Sequence, residues 1–190
     1  RDKLIFTICF DGGSIEKQIV KMIAIRDKLM KSVTLKDLHD AATFAVNSGE
    51  SMLEKAASVG VLATVNEDVR SLREMITYGL KGVAAYGEHA KNIGKENLDI
   101  NAFIYEALAA TLDDSLSADG LVALTLKTGE YGVKVMALLD EANTSRFGSP
   151  EITEVDIGVR KNPAILISGH DLADLERLLE QTRGTGVDVY

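Results

Sequence analysis

The stretch Pro163-Ala-Ile-Leu-Ile-Ser-Gly-His-Asp-Leu172, continued to Gly184-Thr-Gly-Val-Asp-Val-Tyr190, decides the fold class. Pro163 to Ser168 is a short, β-branched apolar run of the kind a fully buried parallel strand needs. Gly169-His170-Asp171 turns the chain. Leu172, Leu175, Leu178 and Leu179 then recur at helical spacing, Gly184 and Gly186 stop the helix, and Val187 to Tyr190 opens a second strand. Two strands joined by one helix form a parallel pair, and two strands alone are not an independently stable sheet. The expectation is the first β-α-β unit of a Rossmann-like α/β domain, truncated at its second strand. The chain also opens on Arg1 without an initiator Met, so the whole is read as an internal piece of a larger protein.

Working back from Pro163, the rest of the chain reads as helical. Both of its prolines, Pro150 and Pro163, lie late. Ser14 is expected to cap a helix carrying Ile15, Ile19, Met22, Ile23, Arg26 and Leu29, and Thr34 a short one from Leu35 to Val46. Ser48 or Gly49 begins another, closed by Gly60. Asn66 caps a long helix to about Ile93, with Leu72, Met75, Ile76, Leu80, Val83 and Tyr86 inward. Leu98 or Asp99 opens the next, burying Phe103, Ile104, Ala107, Leu108 and Leu112. Ser117 caps a further long helix with Leu121, Leu124, Leu126, Val133, Val135, Met136 and Leu139 on its apolar face.

The turn-rich stretch Asn143 to Pro150 marks the expected boundary, giving a helical bundle domain over 1–149 and the start of an α/β domain over 150–190. A short echo between Leu4–Ile8 and Ala109–Leu112, each followed by a serine and a helix, suggests the tail of one bundle followed by a complete second one. The pairs Gly79/Gly82 and Gly129/Gly132 lie three apart within helices, where each glycine costs up to about 1 kcal/mol against alanine. Close helix–helix approach is the expected reason.

Bulk composition removes several function classes. The 190 residues are 46% apolar, enough for a core, and the net charge of −8 argues against a nucleic-acid or anionic-membrane surface. No apolar run reaches the length of a membrane span, and no secretory signal opens the chain. A single cysteine, Cys9, permits no internal disulfide and is compatible with a reducing cytoplasm, the expected location. With only three histidines beside it, the chain has no self-contained zinc site of the usual kind.

Among individual residues His170 stands out, because it follows the C-terminal end of a parallel strand and precedes a helix, where α/β sheets collect ligands. Its imidazole could bind a metal, act as an acid or base, or polarise an oxyanion. The alternative is a solvent-facing loop residue between the capping groups Ser168 and Asp171. His89 is expected to be a half-buried helical histidine satisfied by a carboxylate rather than a phosphoryl acceptor, and His39 to lie on a solvated face. Cys9 reads as an inert buried thiol, Asp113-Asp114 as a complement to a helix dipole, and Asp140-Glu141 as a helix end paired with a cation such as Arg146.

Several segments together resemble the hybrid-cluster (prismane, or hydroxylamine reductase) family. They are Ile167-Ser-Gly-His-Asp-Leu172, Leu178-Leu-Glu-Gln-Thr182 with Gly184 to Gly186, Glu67-Asp-Val-Arg-Ser-Leu-Arg73, Tyr78-Gly-Leu-Lys-Gly82, and Leu138-Leu-Asp-Glu-Ala-Asn-Thr144. The resemblance is dense from about Val59 to Tyr190 and looser before, where Cys9, Gly12 and Gly13 depart from the pattern. It implies an enzyme with two three-helix bundles and two α/β domains, holding a cubane-type iron–sulfur cluster and a hybrid iron–sulfur–oxygen cluster. The activity implied is reduction of hydroxylamine to ammonia, with nitric oxide also ascribed to the family.

By the same resemblance His170 is an iron ligand of the hybrid cluster, the next ligand is a glutamate beyond Tyr190, and the cysteines lie before Arg1 or after Tyr190. The implied partners are a small nitrogenous substrate, an electron donor and the remainder of the same polypeptide, with no nucleic acid and no membrane. One ligand holds no cluster, so the chain alone is expected to bind none and to be inactive. The competing readings are an enzyme of the carbon monoxide dehydrogenase type and a cluster-free helical scaffold.

Overall fold

The computed structural model describes residues 11–34, 36–46, 49–169 and 171–190, with the side chains of 49–51 left aside. The expectations on Cys9, on the Leu4–Ile8 echo, on Leu35 and Ser48 as helix starts, and on His170 itself lie outside the described residues. What is described is mainly helical, with two short parallel strands near the end of the chain.

Three helices enclose the core: α4 (Glu67–Asn92), α5 (Leu98–Ala110) and α6 (Ala118–Phe147), preceded by α1 (Gly12–Met30), α2 (Asp40–Thr43) and α3 (Gly49–Val59). Asn66 accepts hydrogen bonds from the N–H groups of Asp68 and Val69, and Ser117 accepts one from Gly120, so both long helices start where the sequence placed them. Asn97 caps α5 through the Asp99 N–H. The buried set is Ile76, Leu80 and Val83 from α4, Ile100, Phe103 and Ala107 from α5, and Leu121, Tyr131 and Val135 from α6. Phe103 and Tyr131 stack at 3.8 Å, with Lys127 and Lys134 over their outer faces. The Tyr131 hydroxyl donates to Asp99 at 3.1 Å, which satisfies the polar end of a buried ring.

Several local expectations are corrected. Asp11, not Ser14, caps α1: its carboxylate accepts the Gly13 N–H, while Ser14 donates its hydroxyl to the same group. Among the described residues, the segment from Lys36 to Val46 forms the short α2, capped by His39 rather than Thr34. Leu126, Val133 and Met136 are exposed, whereas the expected Leu121 and Val135 are buried and share the stripe of α6 with Thr128, Tyr131 and Ala142. The helix runs on to Phe147, so Asp140-Glu141 lies inside it. Glu141 meets Lys95 at 2.5 Å, and Arg146 pairs with Glu176 instead.

Only one of the paired glycines is needed for close approach. A Cβ on Gly79 would lie 2.8 Å from Thr128 Cγ2, whereas positions 82, 129 and 132 open on free space. Gly79→Ala should therefore destabilise by about 1–3 kcal/mol, since the buried Thr128 must move. Gly129→Ala should stabilise by about 0.5–1 kcal/mol, because it removes only helix-interior glycine entropy. Urea denaturation of the two variants reads opposite signs.

Arg73 joins the start of α4 to the turn before α6. Its guanidinium donates to the Asp113 carbonyl at 3.1 Å and to Asp114 at 2.9 Å. The Asp113 carboxyl is held below its usual range, first by the Ser115 hydroxyl and then by the Ser115 N–H. A carboxyl lowered on folding contributes stability that is present above its unfolded pKa, about 4, and lost as pH falls through the lower folded value. Asp113→Asn should thus be less stable than the parent at pH 7, with the gap closing in acid. Denaturation midpoints at pH 7 and in acid check this.

The C-terminal part contains β1 (Ala164–Ile165), α7 (Leu172–Thr182) and β2 (Asp188–Val189), with β1 and β2 parallel. Positive φ at Gly184 and Gly186, 73° and 76°, ends α7 and returns the chain to β2. The run expected to be a buried strand is exposed in this chain: Leu166 is 85% accessible, and β1 extends over two residues. Strands of this composition are buried when layers cover both faces, and α7 is the one helix placed between these two. Among the described residues, no helix is long and apolar enough to cross a membrane.

Candidate functional site

The parallel pair ends at one place. Asp188 N–H donates to the Pro163 carbonyl, Tyr190 N–H to that of Ile165, and Ile167 N–H to that of Tyr190, at 2.8–2.9 Å. The C-terminal ends of both strands therefore lie side by side, where open α/β sheets bind ligands. Beyond β1 lie Ser168 and Gly169, both exposed, and α7 follows from its cap Asp171. Asp171 caps α7, its Oδ1 accepting the N–H groups of Ala173 at 3.0 Å and Asp174 at 3.3 Å. Among the described residues, the start of α7 is capped by Asp171.

The other sequence candidates lie elsewhere. His39 is exposed and uses Nδ1 to accept the Ala41 N–H at 3.1 Å, a capping role beyond the solvated face expected. His89 is half-buried on α4, as expected, but no carboxylate satisfies it among the described residues; its neighbour is the Tyr86 ring, 6.5 Å away and tilted. Asp113 and Asp114 serve Ser115 and Arg73. An apolar groove of about 830 Å3 between α1, α2 and α3 is lined by Ile15, Ile19, Met22, Phe44, Met52 and Val59 among others. Its polar lining is engaged within the fold: Lys55 pairs with Asp40, Arg26 donates to the Phe44 carbonyl and His39 caps α2.

A polar cluster beside β2 was not singled out in the sequence. Asp188 Oδ1 accepts from Asn162 Nδ2 at 3.4 Å and lies 3.7 Å from Arg160, while the Arg160 N–H donates to the Tyr190 hydroxyl at 2.7 Å. The signal was the charged Arg160 flanked by an alternating apolar run, which no motif marks.

Among the described residues, no group of three or more His, Cys, Asp and Glu side chains is arranged to hold a metal ion. The donor set they present does not fit an iron–sulfur cluster, which is held mainly by thiolates.

A family model described as Prismane/CO dehydrogenase family matches residues 3–190. The chain belongs to that family. The match takes in the segment before Val59, where the motif resemblance was looser. Among similar proteins, one named hydroxylamine reductase from Acetivibrio thermocellus is 78% identical over 186 residues, covering 98% of this chain and 34% of the relative. Proteins of the same name from Clostridium perfringens and Desulfitobacterium hafniense are 57% and 59% identical, over 100% and 95% of this chain and 36% and 34% of their own lengths. The chain thus spans about a third of the prismane-family relatives it matches.

Proposed function

We propose that this chain is one third of a hydroxylamine reductase, and that the intact protein reduces hydroxylamine to ammonia, with nitric oxide as a further substrate. The observation that carries the reading is 78% identity across almost the whole chain to a relative of that name. In this reading residues 1–149 form the helical domain and residues 150–190 begin a Rossmann-like α/β domain. The parallel pair around α7 and the core of α4, α5 and α6 support the division.

His170 is proposed as an iron ligand of the hybrid cluster, on the Ser-Gly-His-Asp-Leu resemblance and on its place between β1 and α7 in the chain. The remaining ligands of both clusters, the substrate site and the electron donor's docking site would come from the rest of the polypeptide. Acting as a ligand requires a neutral imidazole with one nitrogen free to bind the metal. A cytoplasmic location belongs to the same proposal. The family description also spans carbon monoxide dehydrogenases, but the relatives reported above carry the hydroxylamine name.

The test is a graft in which residues 1–190 replace the matched segment of the Acetivibrio thermocellus protein. Oxidation of a reduced viologen dye by hydroxylamine is the expected activity; carbon monoxide oxidation in its place would overturn the reading. The 190-residue chain alone is expected to bind no stoichiometric iron and to show no turnover. Metal analysis and the same assay check both.

A further inference from the structure

The segment before Pro163 has a pattern that the fold of this chain does not use. In Glu154-Val-Asp-Ile-Gly-Val-Arg160 apolar β-branched residues alternate with polar ones and glycine, the period of a half-buried strand. Val155, Ile157 and Val159 are 74%, 95% and 85% exposed, and Ile152 is fully so. The intervening residues face the other way: Asp156, Gly158 and Arg160 line a polar recess of about 180 Å3 with Asp188, Val189 and Tyr190. The segment is moored to β2 through the Arg160 N–H on the Tyr190 hydroxyl and the Arg160–Asp188 pair. Among the described residues, no backbone–backbone hydrogen bond involves positions 152–159. The Gly158 N–H donates to Asp156 Oδ1 at 2.8 Å, and an alternating apolar row beside a sheet, outside any backbone ladder, is a template for another strand.

A second observation lies at the same place. Asp188 Oδ2 is buried and has no hydrogen-bond partner among the described residues. A buried carboxylate oxygen left unpaired is costly, so the recess lacks a donor. Glu151, Glu154 and Asp156 make the polar side of the segment acidic as well.

We infer that Ile152–Val159 is a docking strand for the part of the full-length polypeptide outside these 190 residues. The partner segment is a β-strand, apolar towards Val155, Ile157 and Val159, with Lys or Arg on its polar edge beside Asp188. The inference rests on the reading of this chain as a third of a longer protein, since its relatives are about three times as long as the region matched. It adds which segment of the chain receives the remainder.

Amide hydrogen exchange of the isolated chain and of the graft provides the test, with the α4 amides as an internal reference for folding. Amides 153–159 are expected to exchange at least about tenfold more slowly in the graft. Ile157→Lys in the graft should restore fast exchange there while leaving α4 protected, and Ile157→Thr should have a smaller effect. Equal exchange of these amides in the two proteins overturns the inference, as does an Ile157→Lys graft with undiminished protection. Protection that rises with concentration in the isolated chain also overturns it, in favour of a second copy as partner. Hydroxylamine turnover is read separately. A graft that turns over but exchanges freely at 153–159 sinks only the docking strand, and one that is protected there but inactive sinks only the functional reading.

Discussion

Replacing His170 by alanine in the graft is expected to lower hydroxylamine turnover at least about 100-fold, because loss of a hydrogen-bonding partner behind a metal ligand already costs 10–100-fold and the ligand itself no less. The fold should survive. Asp171 caps α7 with its own carboxylate, and the buried core cluster among the described residues is made by α4, α5 and α6. Far-ultraviolet circular dichroism and the denaturation midpoint should therefore match the unmodified graft, while turnover and the spectroscopic signature of the hybrid cluster are lost together. His89→Ala and His39→Ala serve as controls and should leave turnover unchanged, since their contacts are the Tyr86 ring and the Ala41 N–H. Full turnover in the His170→Ala graft would remove this residue from the site.

The second large effect concerns stability. Phe103→Ala should cost about 3–5 kcal/mol, the range for an aromatic side chain removed from a packed core. Phe103 is 1% exposed, stacks on Tyr131 at 3.8 Å and carries Lys127 over its other face. Its loss opens a cavity that three helices share and removes the support of the Tyr131 ring. Since small domains are stable by only about 5–15 kcal/mol in total, the variant should be close to unfolding, and urea titration of the isolated chain measures this. Tyr131→Phe keeps the ring but loses the hydroxyl bond to Asp99, so a much smaller change of about 0.5–1.5 kcal/mol is expected. Similar costs for the two variants would show that the stack is not the centre of the core.

The helical core was legible in the sequence because its signals are local. Asn66 and Ser117 are strong caps, and Ile76, Leu80 and Val83 repeat at helical spacing. The face of α6 was less legible. Its true stripe runs through Thr128 and Tyr131, a polar and an amphipathic residue, whose burial depends on Gly79 and Phe103 on other helices. The cap of α1 was missed because Asp11 and Ser14 are both good capping residues, and the sequence does not say which accepts and which donates. Arg146 was assigned the wrong partner because Glu141 and Glu176 are equally acidic, and only the course of the chain brings Glu176 near it.

The C-terminal unit shows the opposite balance. Its order, direction and turns followed from Pro163, Gly184 and Gly186. The burial of its first strand did not, since accessibility belongs to the layers around a strand rather than to the strand. The Asp188–Arg160–Tyr190 cluster joins residues about thirty apart and leaves no local trace. The position of the candidate site in the chain was visible as a strand–turn–helix, while the proposal of an iron–sulfur ligand there rests on motif resemblance.

The central claim is that these residues can serve as a third of a working hydroxylamine reductase. Its most direct test is the turnover of hydroxylamine by the graft, measured beside the unmodified Acetivibrio thermocellus protein at equal iron content. The account predicts a rate within about tenfold of the unmodified protein, a difference of no more than about 1.4 kcal/mol in barrier. A folded, iron-loaded graft that leaves hydroxylamine unreduced would contradict it.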